Sequence, residues 1–433
     1  MTSLNRHVAA LDALSRREFL GGIARATLGL SVLPLFETLT GSELPALPAL
    51  PRSAKACIYL YMNGGMSHLD TFDPKPGHAD AGPVKALNTA IDGLQLSEYL
   101  PSLAKHAQHL AIVRSVSSNQ GAHEQGEYFM RTSFPMRGTI KHPTIGAWTA
   151  NLLGRTNPTL PAYVTIGAGS NHPGAGFMET KYAPLPLGNP DQGLPNSTRP
   201  DGVTKEEYEH RLALLKAFND PFQKQHDTKA VRAYHDLYEE AVTLMGSKDL
   251  AAFDLKQESE GLRTAYGDNS FGQGCLLARR LIENDVRYVE VGLGGWDTHD
   301  DNFDRVSDQA AILDRGLATL LTDLRARGML DETLIVVATE FGRTPTINGN
   351  QGRDHFPKAF SCVLAGGGIH GGQVHGQTNE NGSAIIKDTV QVQDFNATIA
   401  HALGLPLDKV VTAPSGRPFM VADHGKPLME LFA

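Results

Sequence analysis

The strongest constraint on this chain is a set of short runs that are mostly apolar throughout, at residues 56–62, 110–116, 162–166, 287–292, 333–339 and 359–364. A strand with one wet face alternates apolar and polar residues, so runs without that alternation belong to a sheet covered on both faces. Helix-length segments separate them, among them residues 97–109. This alternation predicts an α/β fold, a mainly parallel sheet sandwiched between helices. Between residues 204 and 263 the character changes to long charged stretches with helical periodicity, notably 206–218 and 229–245. Before them, residues 170–201 are rich in Gly, Pro and Asn and read as an irregular surface excursion able to wall an active site. The expected layout is one domain over residues 51–433, with a loop and helical insertion at about 170–265.

Composition narrows the function classes. Apolar residues make up 41% and charged residues 20% of 433, with no run of 18 uninterrupted apolar residues, so a globular chain without a stable membrane span is expected. A net charge of -8 and the lack of a Lys/Arg stripe argue against nucleic acid as a partner. Cys57, Cys275 and Cys362 lie far apart in apolar stretches, which suits buried free thiols better than a disulfide framework. The 17 histidines, by contrast, are generous, and several stand beside Asp or Glu.

The first fifty residues read as an address. Ser15-Arg16-Arg17-Glu18-Phe19-Leu20 precedes a mildly apolar stretch at 21–36 and a Pro/Ala/Leu-rich segment to Pro51. Charge, then an apolar run, then small residues is the layout of a signal peptide. The paired arginines with Phe and Leu at these offsets resemble the twin-arginine consensus, and the Gly and Thr content keeps the apolar stretch weak for a Sec signal. Residues 1–50 are therefore expected to engage the twin-arginine translocase, with cleavage between Ala46 and Ala56 and a periplasmic or otherwise exported product.

The chemistry is expected where strands end, because in open α/β sheets the ligand crevice lies beyond the carboxyl ends of the strands. After the first run comes Asn63-Gly64-Gly65-Met66-Ser67-His68-Leu69-Asp70; after the fourth, Gly294-Gly295-Trp296-Asp297-Thr298-His299; after the fifth, Glu340-Phe341-Gly342-Arg343, followed further on by Asp354-His355. An isolated His is ordinarily a loop cap or hydrogen-bond partner, but clusters at several strand ends point to one site. Imidazole mixed with carboxylate suits a divalent transition metal, Zn first with Mn or Fe open, whereas Ca or Mg takes oxygen ligands. Arg343 and Arg353 flank the expected site and suit an anionic ester, surface ion pairing being the alternative. His375 sits in a Gly-rich turn after the last run, within possible reach of substrate.

These motifs together resemble the exported sulfatase-like proteins of unassigned function in the alkaline phosphatase superfamily. The resemblance rests on residues 63–75, Gly295-Trp296-Asp297-Thr298-His299, Thr339-Glu340-Phe341-Gly342-Arg343-Thr344-Pro345, Gly352-Arg353-Asp354-His355-Phe356-Pro357 and the ending from Asp394 to Pro406. It implies an alkaline-phosphatase-like fold, one or two metal ions, and an anionic small-molecule or glycan ester, phosphate or sulfate, as substrate. Carried over residue by residue, Asp297, His299 and His355 fit one metal. A second would draw on Asn63 and Glu340, with Phe341 standing where the superfamily has a ligand and His68, Asp70 or Asp354 as substitutes. The stretch 121–133 resembles the sulfatase nucleophile segment and puts His123 at the nucleophile position, open to the roles of phosphoryl acceptor, metal ligand or general acid. Ser117 and Ser118 are conventional alternatives. If no covalent nucleophile acts, a water activated by the metal attacks directly, with His123 and Glu124 as acid/base residues. The other reading is a non-catalytic metal- or glycan-binding protein on the same fold.

Overall fold

A computed structural model of the chain describes residues 54–169 and 171–432. The export signal expected over residues 1–50 lies outside the described residues. The six apolar runs form strands β1 Ala56–Met62, β2 Leu110–Ser117, β3 Tyr163–Ile166, β5 Tyr288–Leu293, β6 Thr333–Ala338 and β7 Phe360–Ala365, and three short strands outside them, β4 Leu185–Leu187, β8 Gln373–His375 and β9 Val390–Gln391, join the same sheet. They make a nine-stranded sheet in the order β8-β2-β7-β6-β1-β5-β3-β4, with β9 also paired to β2. Every pairing is parallel except the two made by β7. The connection from β6 to β7 contains no helix to carry the chain back across the sheet. β7 therefore enters from the edge where β6 ends and must run the other way.

The helices of more than two turns are α1 His123–Thr132, α2 Ile145–Leu153, α3 Lys205–Gln225, α4 Lys229–Met245, α5 Ser270–Glu283, α6 Asn302–Ala326 and α7 Val392–Ala402. Alternation along β1 splits the core. Ile58, Leu60 and Met62 face a cluster completed by α5 and α6, while Cys57, Tyr59 and Tyr61 face one completed by α1, α2 and α7. The sheet is thus covered on both sides, as its mostly apolar runs demand. All three cysteines are free and buried.

Residues 97–109 do not form the single helix their pattern suggests. Ser97 ends a strand pair with Ala86–Asn88, and helix is confined to Pro101–Ala104 and a 3-10 turn at Ala107–His109. Pro101 disfavours helical backbone at the residue before it, and Leu100 indeed has φ -120 and ψ 50. In the charged segment, α3 extends past the expected 206–218 to Gln225 with Pro221 inside, capped at its start by a Thr204/Glu207 box. No helix among the described residues is long and apolar enough to cross a membrane.

Candidate metal centre

β1, β5 and β6 run in parallel and end side by side, with Met62 opposite Leu293 and Tyr61 opposite Ala338. Their following loops interleave because β1 is followed by Gly64 and Gly65, at φ 115 and 76. A Cβ on Gly64 would lie 2.4 Å from the Asp297 amide nitrogen, and one on Gly65 would lie 2.7 Å from the Phe341 ring. Only glycine combines this backbone with this closeness. Gly64 N–H donates to Glu340 Oε1 at 2.8 Å, and Met66 N–H to Thr339 Oγ1 at 3.0 Å, locking the β1 loop to the β6 loop.

Three imidazole rings meet Asp297, His299 from the same loop and His123 and His355 from two other segments. The distances from Asp297 Oδ1 to the Nε2 atoms of His299, His123 and His355 are 3.2, 3.4 and 3.5 Å, and the Nε2 atoms of His299 and His355 lie 3.0 Å apart. Their other ring nitrogens fix the tautomers. His355 Nδ1 lies 2.8 Å from the Gly121 carbonyl oxygen, and His299 Nδ1 lies 2.8 Å from Asp354 Oδ1. Both partners are acceptors, so each Nδ1 carries the proton and each Nε2 turns a lone pair inward. His123 Nδ1 is held the same way by Glu340 Oε1 at 2.7 Å, leaving its Nε2 buried without a partner. Lone pairs converging on a carboxylate oxygen with no donor between the rings repel one another unless a cation joins them.

The spacing fits such an ion. Ligands about 2.0–2.1 Å from a tetrahedral metal are roughly 3.3 Å from one another, which the distances above match. His123, Asp297 and His355 form the one group of this kind among the described residues, and His299 Nε2 stands beside it, 3.2 Å from Asp297 Oδ1 and 3.0 Å from His355 Nε2. Imidazoles whose outer nitrogen donates to a carboxylate or carbonyl are the usual form of metal-ligating His. Burial pushes the His355 imidazole down, whereas the Glu340 hydrogen bond outweighs burial and pulls His123 up. Burial acts to raise Asp297, but the Arg343 hydrogen bond and charge, with His123 and His299, bring it down to about 2.

The structure gives the remaining site residues other places. Arg343 is fully buried: Nε donates to the Gly65 carbonyl at 2.9 Å, Nη1 to the Arg353 carbonyl at 3.0 Å, and Nη2 to the Gly64 carbonyl and, at 2.6 Å, to Asp297 Oδ1. It is a fixed positive charge against the centre's carboxylate, not a substrate hook. Arg353 is further removed, because Asp70 takes Nε at 2.8 Å and Nη2 at 3.1 Å while carbonyls of Thr344, Pro345 and Asp80 take the rest. Asp70 is thereby committed to Arg353, Ser67 and Asn302, and His68 is buried with Nε2 2.9 Å from the Gly382 carbonyl. Glu340 and Asp354 orient His123 and His299 from behind. Asn63 lies between the β1 and β5 ends, where its carbonyl accepts from Trp296 N–H at 3.3 Å. Phe341 walls the centre with its ring centroid 4.5 Å from His355 and 5.0 Å from His123. Glu124 is exposed in the first turn of α1, next to His123. Ser118 Oγ accepts from Gln120 N–H at 3.1 Å as a loop cap. His375 stands on edge strand β8 with Nδ1 3.2 Å from Glu430.

One supporting element escaped the sequence reading. Arg131, in the last turn of α1, donates from Nε to Glu290 Oε1 on β5 at 2.9 Å, and its guanidinium covers the Tyr61 ring at 3.7 Å. Glu290 Oε2 is met by Tyr163 Oη at 3.2 Å and His172 Nε2 at 3.1 Å. The pair fastens the helix that begins with His123 to the strand that delivers Asp297. The signal was there: a Glu within the apolar run 287–292 needs a buried partner.

A profile of the family described as "Protein of unknown function (DUF1501)" matches residues 54–432. No curated protein matches the chain. Among solved structures the chain is similar to the PsFucS1 sulfatase from Pseudoalteromonas sp., with 14% identity over 87% of this chain and 74% of that one at a TM-score of 0.41. It is also similar to a protein in the alkaline phosphatase superfamily from Vibrio parahaemolyticus, with 11% identity, 90% and 75% coverage and a TM-score of 0.39. A third is the phosphonate monoester hydrolase SpPMH from Silicibacter pomeroyi, with 12% identity, 87% and 76% coverage and a TM-score of 0.39.

Proposed function

The chain belongs to the DUF1501 family, whose description assigns no reaction, and from its site we propose that it is an exported, metal-dependent hydrolase of phosphate or sulfate esters. The observation that carries this reading is the inward convergence of His123, His299 and His355 Nε2 on Asp297 Oδ1, each ring anchored from behind. These residues would hold one divalent transition metal ion, Zn first, with Mn or Fe as alternatives. When bound, such an ion supplies Lewis-acid polarisation of the ester oxygens. Glu340 and Asp354 keep the imidazoles in the ligating tautomer, and Arg343 offsets the Asp297 charge so that an anionic ester can approach. Glu124, exposed beside His123, is the residue this reading assigns to exchange a proton with the leaving group. His123, in this reading, is a ligand and not the phosphoryl acceptor. Export by the twin-arginine translocase and a small-molecule or glycan ester as substrate complete the proposal.

A non-catalytic metal- or glycan-binding protein is the second reading. What favours it is Phe341, an apolar side chain against the centre, together with the Arg343 guanidinium seated on Asp297. Elemental analysis of the mature protein, paired with hydrolysis of aryl phosphates, phosphodiesters and aryl sulfates, separates the two. The hydrolase reading expects about one transition metal per chain and turnover lost in Asp297→Ala. Metal without turnover of any ester supports the binding protein, and absence of bound metal sinks the hydrolase and leaves only glycan binding of the second reading.

A further inference from the structure

At the opposite end of α1 from His123, roughly 15 Å away at 1.5 Å per helical residue, the chain builds a second cavity of about 440 Å³. Its apolar wall is an aromatic cluster: Phe134 stacks on His142 at 4.4 Å and 10°, and Phe419 packs edge-on against both at 5.4 and 5.0 Å. His142 is 2% exposed, and its hydrogen bonds fix its tautomer. The Tyr128 hydroxyl accepts from the His142 backbone N–H at 2.6 Å, so its own proton goes to His142 Nδ1 at 2.8 Å. The ring proton of the neutral imidazole is then on Nε2, and burial with the Arg137 charge pushes this imidazole down to about 4, keeping it neutral. His142 lines the cavity, and its Nε2–H is a donor with no hydrogen-bond partner among the described residues.

The rim supplies charge. Arg137 and Arg417 are exposed there, and neither forms an ion pair among the described residues. Arg137 is near enough for its charge to act on both His142 and Asp423. Asp423 also lines the cavity, so two guanidinium groups stand against one carboxylate. The wall holding Asp423 is strained: Ala422, Asp423 and His424 have φ of 60, 44 and 66 in succession. Consecutive left-handed non-glycine residues persist only where their surroundings over-determine them, and such strain gathers at ligand clamps.

We propose that this cavity binds a small ring-bearing oxyanion, an organic sulfate, phosphate or carboxylate, with the ring against Phe419 and the anion held by Arg137, Arg417 and His142 Nε2–H. The site does not depend on the metal centre. The test is calorimetry on the mature chain carrying Asp297→Ala, which removes the metal centre's contribution. Benzyl sulfate, benzyl phosphate and benzoate are the probes, and benzyl alcohol is the neutral control. At least one anion should bind ten-fold or more tightly than the alcohol, and Arg137→Ala/Arg417→Ala, both on the surface, should abolish that preference. His142→Phe keeps the aromatic stack and should weaken the same anion several-fold. Binding of the alcohol as tight as that of the anions, unchanged anion binding in the double variant, or no binding of any probe overturns the proposal.

Discussion

The two ends of α1 sit in opposite electrostatic situations. At its start, His123 joins a cluster whose three inward imidazole nitrogens are acceptors around Asp297 Oδ1, which takes one donor, Arg343 Nη2 at 2.6 Å, and the Asp297 side chain is still 48% exposed. At its end, Arg131 and Glu290 are each 2% exposed and satisfy one another directly. In the first region the inward imidazole nitrogens still have room for a cation; in the second the Glu290 carboxylate already has its donors in Arg131, Tyr163 and His172. Burial acts to raise Glu290, yet the charges of Arg131 and His172 hold it down to about 2. A binding centre and a structural clamp can therefore be told apart by whether the acceptors already have their donors.

That contrast can be broken experimentally. The largest effect is expected from Asp297→Ala, which removes the oxygen shared by the three imidazoles; metal content should fall to background and ester hydrolysis with it, read by elemental analysis and a kinetic assay. Next, Arg131→Met strands Glu290 in the core and should cost about 3–5 kcal/mol in urea unfolding, while Arg131→Met/Glu290→Leu recovers most of it. If the single variant is as stable as the native chain, the clamp is not one.

The same pair gives a pH dependence. Folding lowers the Glu290 pKa from its ordinary value near ~4.3, so between there and about 2 the unfolded chain binds the extra proton. This contribution, about 3 kcal/mol, is fully present above pH ~4.3 and drains away as pH falls toward about 2. Glu290→Gln should flatten that part of the acid-unfolding curve. The smallest change is Asp354→Ala, behind His299, which should weaken metal affinity by about 10–100-fold and leave the unfolding midpoint of the metal-free protein unchanged. Equal metal affinity in that variant would remove Asp354 from the support of the centre.

Much of this was legible because one-dimensional patterns carry it. Apolar runs without alternation dictate strands covered on both faces, and Asp, His and Glu beyond those runs point to the edge that gathers the chemistry; Asp297, His299 and His355 were named together as ligands from the family resemblance, and the structure brings them side by side. Only the tertiary structure decided what each neighbour does. Arg353 and Asp70 look like site residues in the sequence, yet they pair with each other in the core. His123 comes from a helix far from the other ligands in sequence, and its role depends on the Glu340 oxygen behind it. The physical reason is range: hydrophobic periodicity is set by neighbours along the chain, whereas the partner of a hydrogen-bonding group is set by which distant loop the sheet register brings alongside.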